Sequence, residues 1–94
     1  MPSLAVKLEY SRHFLSERKK YVKNNRQHFE DYKKAVTLFV SNTNHPSLNI
    51  EKLRNTKGIY TIRLNRSDRI FFIWQGENTA LFVDIGKHDQ YRRY

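Results

Sequence analysis

The fold is decided by the segment from Gly58 to Gly86, which reads GIYTIRLNRSDRIFFIWQGENTALFVDIG. Three stretches rich in β-branched and aromatic residues are separated here by the polar turns at residues 65–68 and 76–78. Such stretches predict strands at residues 59–64, 69–74 and 80–85. Because the turns between them are short, the three strands predict an antiparallel meander.

Upstream of this meander, the sequence predicts a strand and two helices. Residues 4–10 alternate between apolar and polar side chains, which indicates a half-buried strand. Ser11 is a suitable N-cap for a first helix, and Asn24-Asn25 indicates the turn that ends it. A second helix is predicted over residues 26–41, with an apolar stripe of Phe29, Tyr32, Val36, Phe39 and Val40.

The resulting order is β-α-α-β-β-β, with a polar connection over residues 42–57 that Leu48, Ile50 and Leu53 attach to the core. This order predicts a two-layer α+β fold in which a helical hairpin packs on one face of an antiparallel sheet. The opposite face of the sheet is then available to a ligand.

The composition limits the classes of function. The chain has 94 residues, so residues 1–94 are expected to form a single domain. It contains no cysteine, which excludes disulfides, cysteine-based zinc sites, iron–sulfur clusters and a cysteine nucleophile. No apolar run is long enough to span a bilayer, so we expect no membrane partner. The N-terminus lacks the apolar core of a signal peptide, so we expect a protein that is not exported from the compartment of its synthesis. The net charge of +9 indicates an anionic partner or, alternatively, a merely basic surface.

Two arginines and a histidine of the C-terminal half have the chemistry of a phosphodiester site. If Tyr60 and Ile62 face the helices, Arg63 points to the opposite side of the sheet, and Arg69 opens the next strand across the turn. An arginine pair binds phosphate and offsets the charge of a pentacoordinate phosphorane, although two solvated arginines would have the same spacing. His88 has the right pKa range for proton transfer, but it equally fits an ordinary surface histidine.

The loop before the meander contains further candidates. His45 and Glu51 are possible general bases, and the cationic side chains of Lys52, Arg54 and Lys57 suit a nucleic-acid backbone. The alternative is a solvated loop. No metal-ligand spacing and no glycine-rich phosphate loop is present, so neither metal nor cofactor is expected, and His13 and His28 receive no role.

The ordered set of motifs in the C-terminal half resembles the RelE/ParE superfamily of bacterial toxins. The motifs are Lys52-Leu53, Gly58–Leu64, Asp68–Phe72 and the Val83–Tyr91 run VDIGKHDQY. The first half fits this superfamily only in its order of elements. Asp68 departs from the pattern, since an aromatic residue is common at this place.

The resemblance implies a cytoplasmic bacterial toxin of a type II toxin–antitoxin pair, which an acidic antitoxin wraps around. RelE-like members enter the ribosomal A site, contact 16S rRNA and cleave mRNA without metal or cofactor. The ribose 2′-OH attacks the adjacent phosphate, leaving a 2′,3′-cyclic phosphate and a free 5′-OH. Two alternatives remain open: a ParE-like inhibitor of DNA gyrase, which lacks the catalytic tail residues, and a non-catalytic basic module that binds nucleic acid.

The resemblance also implies a role for individual residues. Arg69 matches the arginine that stabilises the phosphorane, and Arg63 matches a contact to the substrate phosphate. His88 matches the general acid, and Tyr91 matches the aromatic residue that stacks on the nucleotide. His45 resembles the base of one branch, with Glu51 as the second choice. The predicted nucleic-acid contacts are Lys52, Arg54, Lys57, Arg66 and Lys87.

Overall fold

The computed structural model describes residues 6–89, which form two helices and one five-stranded sheet. Within these residues, no helix is both long and apolar enough to cross a membrane. The elements are β1 (Lys7–Tyr10), α1 (Arg12–Val22), α2 (Arg26–Ser41), a 3-10 turn (Pro46–Leu48), β2 (Glu51–Lys52), β3 (Tyr60–Arg63), β4 (Asp68–Trp74) and β5 (Thr79–Lys87).

The sheet confirms the α+β class and the meander, and it corrects the predicted strand pairing. Its order is β1-β5-β4-β3-β2, in which β3, β4 and β5 pair antiparallel. β1 pairs parallel with β5, so the sheet is mixed and not antiparallel throughout. β2 was predicted only as part of a polar connection, because two residues are too short to show a strand period.

The predicted helix boundaries are confirmed. The Ser11 hydroxyl accepts a hydrogen bond from the Phe14 backbone N–H at 3.0 Å and caps α1. Asn24 adopts a left-handed φ of 54° in the turn, and the Asn25 side chain caps α2 by accepting from the His28 N–H at 2.9 Å. Polar residues thus satisfy backbone donors at both helix starts. The cap at Ser11 is as predicted, whereas Asn25 is predicted only as part of a turn.

The core lies between the helices and one face of the sheet. Phe14 of α1 and Phe39 of α2 are fully buried against Phe72 and Phe82, which lie on the central strands. The predicted apolar stripe of α2 is wrong at one position, since Phe29 is 47% exposed. Phe29 lies near the start of α2, in a shallow groove shared with the end of α1 and the turn between the helices, whereas the buried residues of α2 come later.

The opposite face of the sheet is less open than the sequence predicts. Thr61, Phe71 and Asp84 lie in one row across β3, β4 and β5, and each is at most 1% exposed. The neighbouring row contains Arg63, which is exposed, and Arg69, which is half-buried. This face is therefore open to a ligand at the end where the two arginines lie.

Candidate active site

The two arginines are brought together by the strand register. Arg63 ends β3, and its Cα is paired with that of Arg69 in β4. Residues directly opposite each other in neighbouring strands place their Cβ atoms about 5 Å apart on the same face. Like charges in this arrangement destabilise a sheet, so a bound anion would relieve an existing repulsion.

Arg69 is held in place by backbone carbonyl groups of the turn between β3 and β4. Its Nη1 donates to the carbonyl oxygens of Asn65 at 2.9 Å and Asp68 at 3.0 Å. Burial and then the nearby charge of Arg63 lower the pKa of Arg69, whereas Glu51 and Asp68 oppose this change. Since guanidinium stays protonated in proteins, the result is a fixed cation whose other N–H groups remain to bind phosphate.

The turn is itself fixed by a buried network around Asp68. The Asp68 carboxylate is 4% exposed and accepts from the Tyr21 hydroxyl at 2.7 Å and from the Asn65 side chain at 3.1 Å. The Asn65 Oδ1 accepts from the N–H groups of Ser67 and Asp68, each at 3.0 Å, which closes the turn. The turn that positions Arg69 is thus tied to helix α1 through Tyr21.

The hydrogen bonds of this network determine the ionisation state of Asp68 and Tyr21. Burial alone would raise the pKa of Asp68, but the hydrogen bonds from Tyr21, Asn65 and Ser67 and the charge of Lys87 together hold it below its ordinary value. Burial and the adjacent Asp68 raise the pKa of Tyr21 well above its usual range. At neutral pH the carboxylate is therefore ionised and the phenol remains a donor.

His88 lies at the same end of the sheet as the arginines. Its backbone N–H donates to the Ser67 carbonyl at 2.8 Å, just beyond the end of β5. Gly86, two residues earlier, is paired with Arg69 and adds no side chain to the arginine row. The His88 side chain is exposed, so it is accessible to a substrate held by the arginines.

The two candidate bases lie in the connection between α2 and β3, and only Glu51 belongs to a strand. Glu51 is paired with Thr61, which places it on the face that carries Arg63 and Arg69, and its charge acts on Arg69. His45 caps the 3-10 turn, where its Nδ1 accepts from the Ser47 N–H at 3.1 Å. The turn packs on the helix side of the sheet through Leu48, and His45 shares a groove with Trp74 there. His45 is therefore outside the strand rows that contain the arginines, although its contact Ser47 lines a groove with Arg63.

The predicted nucleic-acid contacts form two groups. Arg66 and Lys87 are exposed beside the arginine row, one in the turn after β3 and the other at the end of β5. Lys52, Arg54 and Lys57 are exposed on the hairpin between β2 and β3, at the other end of β3 from Arg63. Tyr91, the predicted stacking residue, lies outside the described residues.

Comparison with known proteins supports the fold that carries this site. Neither a protein-family model nor a curated protein matches the sequence. The fold is similar to that of a YoeB/ParE toxin from Agrobacterium tumefaciens, with a TM-score of 0.73 and 12% identity over 87% of this chain and 98% of that one. The chain has the fold of the YoeB and YafQ toxins.

Two structures of complexes extend this likeness. One is the E. coli DinJ-YafQ toxin-antitoxin complex, with a TM-score of 0.70 and 17% identity over 89% of this chain and 93% of that one. The other is the YoeB-YefM complex from Staphylococcus aureus, with a TM-score of 0.70 and 19% identity over 88% of this chain and 97% of that one. These identities are low, so what is shared is the arrangement of the backbone.

Sequence reasoning missed the residues that support the site on this toxin fold. Tyr21 lies in the first predicted helix and Asn65 in a predicted turn, and no local pattern indicates that both hold Asp68. The one available signal was Asp68 itself, an acidic residue where the RelE/ParE pattern commonly has an aromatic. A buried carboxylate requires donors, and this requirement is what Tyr21 and Asn65 fulfil.

Proposed function

We propose that this chain is the toxin of a type II toxin–antitoxin pair of the RelE/ParE superfamily, and that it cleaves mRNA in the ribosomal A site. The observation that carries the proposal is the Arg63–Arg69 pair, held at the end of the sheet where His88 also lies. The likeness of the fold to YoeB and YafQ supports the toxin class, and the complexes with DinJ and YefM support an antitoxin as partner. The excess of basic residues suits an acidic antitoxin and ribosomal RNA.

The proposed reaction is attack of a ribose 2′-OH on the adjacent 3′-phosphate. Glu51 accepts the proton of the 2′-OH, the new O2′–P bond forms and the P–O5′ bond breaks. His88 donates a proton to the leaving 5′ oxygen, so the products are a 2′,3′-cyclic phosphate and a 5′-OH. Arg69 stabilises the additional negative charge of the phosphorane, and Arg63 binds the phosphate in the ground state.

Glu51 replaces His45 as the proposed base because of its position. It lies on the face of the sheet that carries the arginines, and its carboxylate acts electrostatically on Arg69. The imidazole of His45 is engaged by Ser47 through Nδ1. Glu51 accepts from Asn49 at 3.1 Å through Oε1, and its Oε2 is proposed to take the proton. Tyr91 stays in the proposal as the residue that stacks on the nucleotide, and the basic hairpin between β2 and β3 is proposed to contact the RNA backbone.

In-vitro translation with primer extension on the mRNA tests this function. Wild-type protein is expected to give discrete cleavage sites that depend on the ribosome. Arg69→Ala is expected to lower the rate by about 10²–10³-fold and His88→Ala by about 10²–10⁴-fold. Arg26→Ala is the matched control, because Arg26 is an exposed arginine at the start of α2 and belongs neither to the arginine pair nor to the predicted RNA contacts. Inhibition of gyrase supercoiling with intact translation, or cleavage that survives both variants, would contradict the proposal.

A further inference from the structure

A second cluster of potential ligands lies where the start of α1 meets β5. His13 and Glu17 are one helical turn apart and share a face of α1, and Asp84 lies on β5. One ligand atom from each of the three residues lies within 4.8 Å of the other two. Within this cluster, His13 Nε2 and Asp84 Oδ1 are 3.3 Å apart.

The Asp84 carboxylate is the central observation. Its residue is 1% exposed, and its Oδ1 also accepts from the Ile85 N–H at 2.8 Å. No hydrogen-bond donor among residues 6–89 reaches its Oδ2. A buried carboxylate oxygen without a donor costs free energy, and a cation bound at the carboxylate would offset that cost.

The donor set and its spacing select a class of ion. Zinc binds histidine nitrogen and carboxylate oxygen at about 2.0–2.2 Å, so two ligand atoms of a tetrahedral site lie about 3.3 Å apart. The His13–Asp84 separation already has this value. One imidazole with two carboxylates suits zinc and similar transition metals, whereas magnesium prefers oxygen ligands alone.

The cluster is also open to an ion from solvent. The His13 side chain is 55% exposed, so it offers an entry path. Lys20 contacts only the Oε2 of Glu17, at 3.1 Å, which leaves the other carboxylate oxygen for a ligand.

We propose that His13, Glu17 and Asp84 bind a divalent transition-metal ion of the zinc class, with water completing the coordination. The ion would join α1 to β5, and Asp84 lies in the strand row next to that of Arg69. Zn²⁺ affinity and Tm therefore report on this site without relying on the proposed nuclease function.

Titration calorimetry on tag-free, metal-stripped full-length protein tests the site. Zn²⁺ is expected to bind with one ion per chain, and an excess of about 100-fold over Kd is expected to raise the Tm by roughly 10 °C or more. Mg²⁺ is expected to produce neither effect. His13 is exposed and Glu17 partly exposed, so neither change disturbs the buried core. His13→Ala and Glu17→Gln are each expected to weaken Zn²⁺ binding by at least about 10-fold, because even loss of a residue that only supports a metal ligand costs that much.

Matched variants separate this site from other histidines and carboxylates. His45→Ala is the control for His13→Ala, and Glu30→Gln is the control for Glu17→Gln, because neither residue belongs to the cluster. Both controls are expected to bind Zn²⁺ as the wild type does. Absence of Zn²⁺ binding to the wild type, or equal affinity in His13→Ala, Glu17→Gln and the wild type, would overturn the proposal.

Discussion

Replacing Tyr21 with phenylalanine tests whether the buried network fixes the turn that holds Arg69. The change removes one hydroxyl, which donates to Asp68 Oδ2 at 2.7 Å. Asp68 keeps its hydrogen bonds from Asn65 and Ser67, so the carboxylate is not stranded. The loss is this charge-assisted hydrogen bond and a second one, in which the Tyr21 hydroxyl accepts from Asn65 at 3.1 Å but Asn65 retains other acceptors. The charge-assisted bond contributes about 1.5–3 kcal/mol, so we expect Tyr21→Phe to lower the free energy of unfolding by about that amount. For a domain of this size the Tm falls by about 6–20 °C.

Urea denaturation and thermal melts measure this effect, with Tyr32→Phe as the matched control. The Tyr32 hydroxyl accepts from Arg18 at 3.0 Å, and Arg18 also stacks on the rings of Tyr10, Phe14 and Tyr32. Because Arg18 keeps these ring contacts and access to water, the control is expected to lose less than about 1 kcal/mol. A loss in Tyr21→Phe no greater than that in Tyr32→Phe would refute the role of the network.

The pH dependence of this loss has a definite sign. The folded pKa of Asp68 lies below its ordinary value of 3.8, so its contribution to stability is present above about pH 4 and is lost as pH falls through the folded pKa. Tyr21 is one cause of that depression. The difference between the wild type and Tyr21→Phe is therefore expected to be largest at neutral pH and to shrink below pH 3.8. A difference that grows on acidification would contradict this assignment.

Three further variants test the core, a helix cap and the base. Phe39→Ala is expected to lower the free energy of unfolding, measured by chemical denaturation, by about 3–5 kcal/mol because the ring is fully buried. Phe29→Ala, at a 47% exposed position, is expected to lower it by less than about 1 kcal/mol. Equal losses would contradict the placement of α2. Ser11→Ala is expected to cost about 1 kcal/mol through loss of the cap to Phe14 N, and a neutral result in the same assay would remove that role. In the ribosomal cleavage assay, Glu51→Gln is expected to lower the cleavage rate by about 10²-fold or more. His45→Ala is expected to keep the rate within a few fold of the wild type. The reverse order would restore His45 as the base.

The sequence predicts elements with strong local signals and misses those that depend on distant partners. The meander follows from periodicity, and the start of α1 follows from the cap residue Ser11, which acts over a few positions. The turn before α2 follows from Asn24-Asn25. The parallel pairing of β1 with β5 joins opposite ends of the chain, and nothing within residues 7–10 specifies that partner. β2 has two residues, which is below the length at which a strand period can be seen.

In the candidate site, too, the sequence predicts the local arrangement and misses the distant partners. The pairing of Arg63 with Arg69 follows from two neighbouring strands and a short turn, so the sequence places these residues on one face. The partners of Asp68 cannot be predicted in this manner, because Tyr21 lies 47 positions away. The choice of His45 as base depended on resemblance alone, and the side of the sheet on which a loop residue lies is a property of the tertiary fold. His13 received no role because its neighbour Asp84 is distant in sequence.

The proposed role of Arg69 in mRNA cleavage is tested most directly by single-turnover rates on programmed ribosomes. The proteins compared are the wild type, Arg69→Ala and Arg69→Lys. We expect Arg69→Ala to reduce the rate by about 10²–10³-fold, because a fixed donor to the transition-state charge is lost. Arg69→Lys is expected to stay well below the wild type, since lysine keeps the charge but lacks the planar fork that the Asn65 and Asp68 carbonyls hold. A wild-type rate in Arg69→Ala, or no ribosome-dependent cleavage by the wild-type protein, would contradict the account.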